Sequence, residues 1–162
     1  MKLYLVQHGE AMPESENPAR PLTERGRQQV SRMSVVLARA GIKVPRVIHS
    51  GKPRSRDSAA ILAGALANGP IVEEASVGLA PNDDPNGTLS FLAGETVDVM
   101  LVGHLPSIGR LAGLLLSGQA NAMPLAFQPG AVACLEGASL DPMEASGQWT
   151  LAWFLRPDTL GF

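Results

Sequence analysis

KLYLVQHGE, residues 2–10, decides how this chain is read: an apolar run of strand type breaks into Gln7-His8-Gly9-Glu10. A second run, VDVMLVG at residues 97–103, breaks in the same way into His104-Leu105-Pro106. A third, residues 44–48, leads to Ser50 and Arg54. In an open α/β sheet ligands bind in the crevice beyond the carboxyl ends of the strands, so three strand ends deliver two imidazoles, a hydroxyl and a guanidinium to one place. The set suits a phosphoryl group, whose peripheral oxygens call for charged or strongly polar donors, of which a guanidinium offers planar bidentate ones. A helix amino terminus near Arg54 would add partial positive charge.

Between these strand ends the chain alternates strand and helix. Residues 10–22, rich in Pro, Glu, Ser and Asn, read as a loop. Thr23 is then a good N-cap for a helix to about Ala40, with Val30, Met33, Val36 and Leu37 as its apolar stripe and Gly41 as its stop. A strand over 44–50 passes through Gly51-Lys52-Pro53 into a helix to about Ala67, Pro53 suiting the first turn. Residues 71–74 read as a short strand, 79–87 as a turn-rich loop and 88–93 as a short helix. The run 97–102 has the continuous apolarity of a strand covered on both faces. Pro106 opens a helix to about Leu116, and 131–136 with 148–154 read as an antiparallel hairpin. The order predicts a three-layer α/β/α architecture, its central sheet mostly parallel with an antiparallel edge, spanning residues 1–162 as one domain.

Composition narrows the classes. The chain has 162 residues, 45% of them hydrophobic, enough for one ordinary core. Net charge is −2 and the Lys and Arg residues form no basic run, which argues against nucleic-acid binding. Cys134, the single cysteine, is expected as a small buried apolar residue in a reducing compartment. The first apolar run is too short for a secretory segment, and no run reaches the length of a membrane span, so a cytoplasmic location is expected.

A strand-end histidine taken alone is more often structural than catalytic; the second histidine and Arg54 shift the reading. An imidazole with one nitrogen fixed by a backbone carbonyl presents the other as nucleophile or base. The rival is a metal site of His8, His49 and His104, but His49 alternates with Ser50 along the strand, so only one of that pair faces the crevice easily. No glycine-rich nucleotide loop of the usual spacings surrounds Gln7. Asp83 and Asp84 are turn formers first, and Glu10 reads equally as a solvated loop carboxylate.

Five segments in order, QHGE (7–10), RPLTERG (20–26), SGKPR (50–54), LAPNDDP (79–85) and VGHLP (102–106), resemble the histidine phosphatase superfamily, the phosphoglycerate-mutase-like fold, and most closely its short SixA-type phosphohistidine phosphatases. The resemblance implies that His8 is a nucleophile that becomes phosphorylated and that Arg54 and His104 bind the phosphoryl oxygens. It places Arg20 at the rim of the same pocket and offers Asp84 as the proton donor. It implies neither metal nor cofactor. Phosphate and a protein bearing phosphohistidine are the expected partners, without nucleic acid or membrane.

Two positions depart from the family pattern. Gln7 stands where the motif has arginine, so a neutral amide replaces a guanidinium on the transferred group, and Gly51 replaces a common proline. A charge-assisted hydrogen bond contributes roughly 1.5 to 3 kcal/mol against about 1 for a neutral one. Felt only in the transition state, that loss slows turnover by about one to two orders of magnitude, and Arg20 is the residue placed to restore the charge. Gln7 also leaves open a second reading, a module that binds phosphate or phosphohistidine with little or no turnover.

Overall fold

In the computed structural model, which describes residues 1–161, the strand β1 (Lys2–Gln7) sends alternate side chains to opposite faces of the sheet. Leu3 and Leu5 enter one core, and Tyr4 and Val6 enter another. The neighbouring strand β4 (Val99–Gly103) divides in the same manner, Val99 and Leu101 to the first core, Met100 and Val102 to the second. Both strands are buried along their length, which is why their sequences are continuously apolar.

The other strands are β2 (Arg46–His49), β3 (Ile71–Glu74), β5 (Val132–Glu136) and β6 (Thr150–Leu155), giving a six-stranded sheet in the order β3-β2-β4-β1-β5-β6. The first four strands of that order pair in parallel, and β5 pairs antiparallel with both β1 and β6. The predicted antiparallel edge is therefore the β5–β6 side. Register does the rest: Gln7 lies opposite Gly103 and His49 opposite Val102. The residues that follow, His8, His104 and Ser50, thus leave the sheet at one common edge.

Helices α1 (Glu24–Arg39) and α2 (Pro53–Ala65) cover the second core through Val30, Met33, Leu37, Ala59 and Leu62. Helices α3 (Pro85–Leu92), α4 (Ser107–Ser117) and α5 (Pro142–Ala145) cover the first through Leu89, Leu92, Ile108, Leu111 and Ala145. The result is the expected α/β/α sandwich. Thr23 caps α1 by accepting from the Gly26 N–H at 2.9 Å, and Gly41, at φ +71°, lets the chain turn away beyond the helix end.

Two elements differ from expectation. Helix α3 starts at Pro85 rather than Thr88, because Asp84 and Pro85 act as N-cap and first helical residue instead of extending the turn-rich loop. Helix α5, inside the stretch expected as loop, is started by the same Asp-Pro device at Asp141-Pro142. Cys134 is buried, and among the described residues no helix is long and apolar enough to cross a membrane.

Two glycines close the site end of the fold. A Cβ on Gly9 would lie 2.5 Å from the Gly26 carbonyl oxygen, and one on Gly26 would lie 2.0 Å from that of Glu10. Backbone meets backbone there. Gly26→Ala is expected to destabilise the protein by about 1 to 3 kcal/mol through overpacking. Gly64→Ala, on an exposed stretch of α2 with open space around it, should stabilise by roughly 0.5 to 1 kcal/mol through helix propensity. Urea unfolding midpoints read both, and their signs should be opposite.

Candidate active site

The turn after β1 fixes His8. Its N–H donates to the Gly103 carbonyl at 3.2 Å, continuing the β1–β4 ladder by one residue. Its ring Nδ1 lies 2.6 Å from the Gly9 carbonyl oxygen. A carbonyl only accepts, so Nδ1 carries the hydrogen and Nε2 keeps a lone pair. Ser58, fully buried on α2, accepts from the Gly9 N–H at 3.1 Å and donates to the Arg54 carbonyl at 2.7 Å. One hydroxyl thereby ties the His8 turn to the first turn of α2.

That first turn carries Arg54, 7% exposed. Ser55, one residue on, donates to the Val102 carbonyl at 2.6 Å and accepts from the Ser50 N–H at 3.1 Å, holding the β2 turn against β4. Ser50 Oγ lies 2.6 Å from His104 Nε2, and the Lys52 N–H donates to the same oxygen at 3.4 Å. With the hydroxyl donating to Nε2, a neutral His104 carries its hydrogen on Nδ1. The two imidazoles face each other with ring centroids 4.8 Å apart and planes inclined at 58°.

A cleft of about 360 Å³ opens at this point, and its wall includes Gln7, His8, Glu10, Arg20, Arg54 and His104. Among the described residues the buried side-chain nitrogens and oxygens without a partner are Gln7 Oε1, Arg54 Nε and His104 Nδ1. All three belong to residues of this wall. A buried polar atom left unpaired costs about 1 to 3 kcal/mol, so a native structure concentrates such atoms where a ligand meets them.

Burial dominates the ionisation of both rings. It lowers the pKa of His8 to about 4, against a smaller upward pull from the Gly9 carbonyl, and Arg54 and Arg20 lower it further. His104 is lowered to about 3 by burial, then by His8, Arg54, Lys52 and Arg20. Burial and Arg20 also lower Arg54. Every charge that bears on the two histidines is cationic. At neutral pH both rings are uncharged beside the guanidiniums of Arg54 and Arg20.

Arg20 reaches the cleft from the loop. Its backbone is left-handed at φ +48°, a strained conformation for a side chain of this size, and its Nε donates to the Met12 carbonyl at 3.1 Å. The terminal guanidinium nitrogens remain for the cleft. Glu10 also lines it, but its carboxylate accepts from Thr23 Oγ1 at 2.9 Å and lies 3.7 Å from Arg25.

The structure thus brings together Gln7, His8, Arg20, Arg54 and His104. It does not bring in Asp84. That carboxylate caps α3, accepting from the Asn86 N–H at 2.9 Å, and is no part of the cleft wall. Its neighbour Asp83 accepts from the Gly78 and Ala80 N–H groups and shapes the loop. His49 also stays out, its Nδ1 accepting from the Gly51 N–H at 3.0 Å, and among the described residues no three His, Cys, Asp or Glu side chains group as metal ligands. Ser55 and Ser58, which position the site, escaped the sequence reading. Their signal was two hydroxyls on the apolar side of a helix.

The profile of the histidine phosphatase superfamily (branch 1) matches residues 3–77. An uncharacterized protein of Picosynechococcus is 32% identical over 127 residues, 74% of this chain and 75% of its own length. The phosphohistidine phosphatase SixA of Escherichia coli is 26% identical over 165 residues, covering 99% of this chain and 96% of the relative. Among solved structures, the protein histidine phosphatase SixA complexed with tungstate superposes with a TM-score of 0.82 at 25% identity, 99% of each chain being covered. A mycobacterial glucosyl-3-phosphoglycerate phosphatase shares the fold, with a TM-score of 0.67 at 18% identity over 94% of this chain and 97% of its own. With the motif segments in order along the chain and the likeness covering nearly all of it, the chain belongs to the histidine phosphatase superfamily, as a SixA-like phosphatase.

Proposed function

We propose that this protein removes the phosphoryl group from phosphohistidine on another protein, through a phosphohistidine intermediate on its own His8 and without a metal. The observation that carries the reading is the meeting of a free His8 Nε2 lone pair with the unpaired Arg54 Nε and His104 Nδ1 in one cationic cleft. A site built only to hold phosphate has no use for an imidazole with its lone pair exposed at the attack position. Tungstate, bound by the SixA relative, is a tetrahedral oxyanion of phosphate shape.

His8 Nε2 attacks phosphorus in line, forming a P–N bond as the bond to the substrate imidazole breaks. The electron pair goes to the departing nitrogen. A substrate ring protonated on its other nitrogen leaves as neutral imidazole, so no strong acid is required. Phosphorylated His8 is formally an imidazolium whose Nδ1–H remains on the Gly9 carbonyl. Water then attacks phosphorus, the electron pair returns to Nε2, and the water proton leaves with phosphate or solvent. Arg54, Arg20 and His104 hold the phosphoryl oxygens. Gln7 adds a neutral contact, its amide N–H reaching the same point after a half-turn of the side-chain amide.

Leaving-group chemistry selects the substrate class. Glu10, the carboxylate on the cleft wall, is already committed to Thr23 and Arg25, and Asp84 to its helix. An alkoxide departing from a sugar phosphate would need the acid that these groups do not supply. A phosphoramidate does not. The loop that carries Arg20 is fastened by the Met12 N–H to the Pro21 carbonyl at 2.8 Å and by a bridge between Ala11 and Leu22, which leaves the cleft open to a side chain presented by another macromolecule.

Three outcomes are expected. His8→Ala abolishes both phosphate release from phosphoramidate and the acid-labile phosphate label in a single turnover; a label that persists sinks the mechanism. Arg20→Ala lowers kcat/KM by about 10- to 100-fold, the value of a charge-assisted hydrogen bond, in steady-state assays on a phosphohistidine substrate. The third concerns pH. Attack needs neutral His8, and a pKa lowered to about 4 keeps it neutral in mild acid. Corrected for substrate ionisation, kcat/KM should stay level from neutrality to about pH 5 and fall below about 4, since this quantity reports the free enzyme.

A further inference from the structure

The buried atoms without a partner on the cleft wall are not alike. Arg54 Nε and His104 Nδ1 donate, whereas Gln7 Oε1 accepts. Donors are what phosphoryl oxygens call for. An amide oxygen is not: a fully deprotonated phosphoryl group offers only oxygens, and Gln7 Oε1 turned toward them is repelled. The orientation nevertheless has a local cause. The side-chain charges that bear on the histidine pair belong to Arg54, Arg20 and Lys52, and cations draw the oxygen end of an amide dipole inward.

The backbone holds this oxygen in place. Gln7 is the last residue of β1, its N–H donating to the Ala131 carbonyl at 3.1 Å and its own carbonyl accepting from the Gly130 N–H at 3.1 Å. The other side-chain acceptors of the wall are committed. Glu10 accepts from Thr23 and faces Arg25, and His104 Nε2 lies against the Ser50 hydroxyl. His8 Nε2 keeps its lone pair, but that atom is the point of attack. Gln7 Oε1 is therefore a buried acceptor whose partner has to come with the ligand.

The ligand that supplies it is an oxyanion carrying a hydrogen. Inorganic phosphate keeps a hydroxyl even as its monohydrogen dianion. Sulfate, of the same shape and the same charge as that dianion, has none. A phosphoryl group on an imidazole nitrogen has none at neutral pH either, and meets Gln7 only after the half-turn of the amide. Hydrolysis changes this, because the released phosphate gains the oxygen of the attacking water together with a hydrogen on it.

We infer that Gln7 makes the cleft selective for an oxyanion that carries a hydrogen, so that inorganic phosphate is held by a contact the substrate phosphoryl group lacks and restrains turnover as it accumulates. The inference rests on the function proposed above for the naming of phosphate as product, and adds the regulation of that site. Gln7 is on this reading a specificity-determining residue, where an arginine would serve phosphate and sulfate alike.

Calorimetric titration with phosphate, arsenate and sulfate tests it, in mildly alkaline buffer where all three are dianions and only the first two carry a hydrogen. Phosphate and arsenate should bind at least about tenfold more tightly than sulfate, the value of one hydrogen bond to an otherwise unpaired buried group. Gln7→Met should weaken phosphate by about tenfold and leave sulfate within about threefold of the parent. Gln7→Arg should tighten both and bring them within about threefold of each other. His8 Nε2 is present throughout, so the difference between parent and variants belongs to Gln7.

The same factor should appear in kinetics: the inhibition constant of phosphate rises in Gln7→Met more than the KM for phosphohistidine does. Thermal unfolding reports whether each variant is folded, and Gln7→Arg carries the test should Gln7→Met not be. Equal binding of phosphate and sulfate by the parent overturns the inference, as does a preference for phosphate that survives both variants, or a KM that rises in step with the inhibition constant. The titrations need no turnover. A parent protein that releases no phosphate from phosphohistidine would overturn the phosphatase reading and leave the oxyanion selectivity measurable.

Discussion

The 2.6 Å hydrogen bond from His8 Nδ1 to the Gly9 carbonyl sets the tautomer on which the chemistry of the cleft depends. For the carbonyl to turn back toward the ring of the preceding residue, Gly9 must pass within backbone contact of Gly26, at the start of α1. Thr23 and Glu10 clamp that helix start, and Ser58 holds the Gly9 N–H from the other side. His8, helix cap and second helix are thus one hydrogen-bonded unit. A side chain at either glycine would strike backbone, and the strain would fall on the imidazole that must be aimed.

Burial gives this unit its reactivity as well as its shape. The histidines are neutral because desolvation of the charged ring outweighs every other influence on them, and the neighbouring cations act in the same direction. An incoming phosphoryl group inverts that balance: the guanidiniums that disfavour an imidazolium in the free protein are then paired by phosphoryl oxygens. In the proposed mechanism, the positive charge developing on His8 during attack meets an anion in place of uncompensated cations. Unpaired Arg54 Nε and His104 Nδ1 mark donors whose cost in the free state lowers the barrier when the ligand supplies their partners.

The sheet and its cleft were legible because they rest on period. Buried parallel strands read as unbroken apolar runs, their ends are punctuated by glycine, and strand register carries His8 and His104 to one level. Helix starts were legible where a hydroxyl stood alone before an apolar stripe, as at Thr23. At Asp84-Pro85 the same capping chemistry was hidden in a row of turn residues, which moved the start of α3 and left Asp84 free to be cast as an acid. Ser55 and Ser58 were missed because two hydroxyls on the apolar side of a helix signal burial alone; their roles exist only once other elements supply the partners.

Gln7 finds its sense in that electrostatic setting. The family position holds arginine, yet Arg54, Arg20 and Lys52 already bear on the histidine pair with no opposing carboxylate among the charges that act on it. A further guanidinium beside β1 would need desolvation in a wall where Arg54 is already buried, and it would raise the cost of the unliganded state. A neutral amide avoids that cost and gives up part of the attraction for a dianion. The strained backbone of Arg20 and the anchoring of its Nε on Met12 direct a cation to the cleft from the loop, where its stem stays partly solvated. Moving positive charge from strand to loop trades transition-state stabilisation for stability of the free protein, and such a trade suits the proposed phosphohistidine substrate, whose P–N bond breaks with little help.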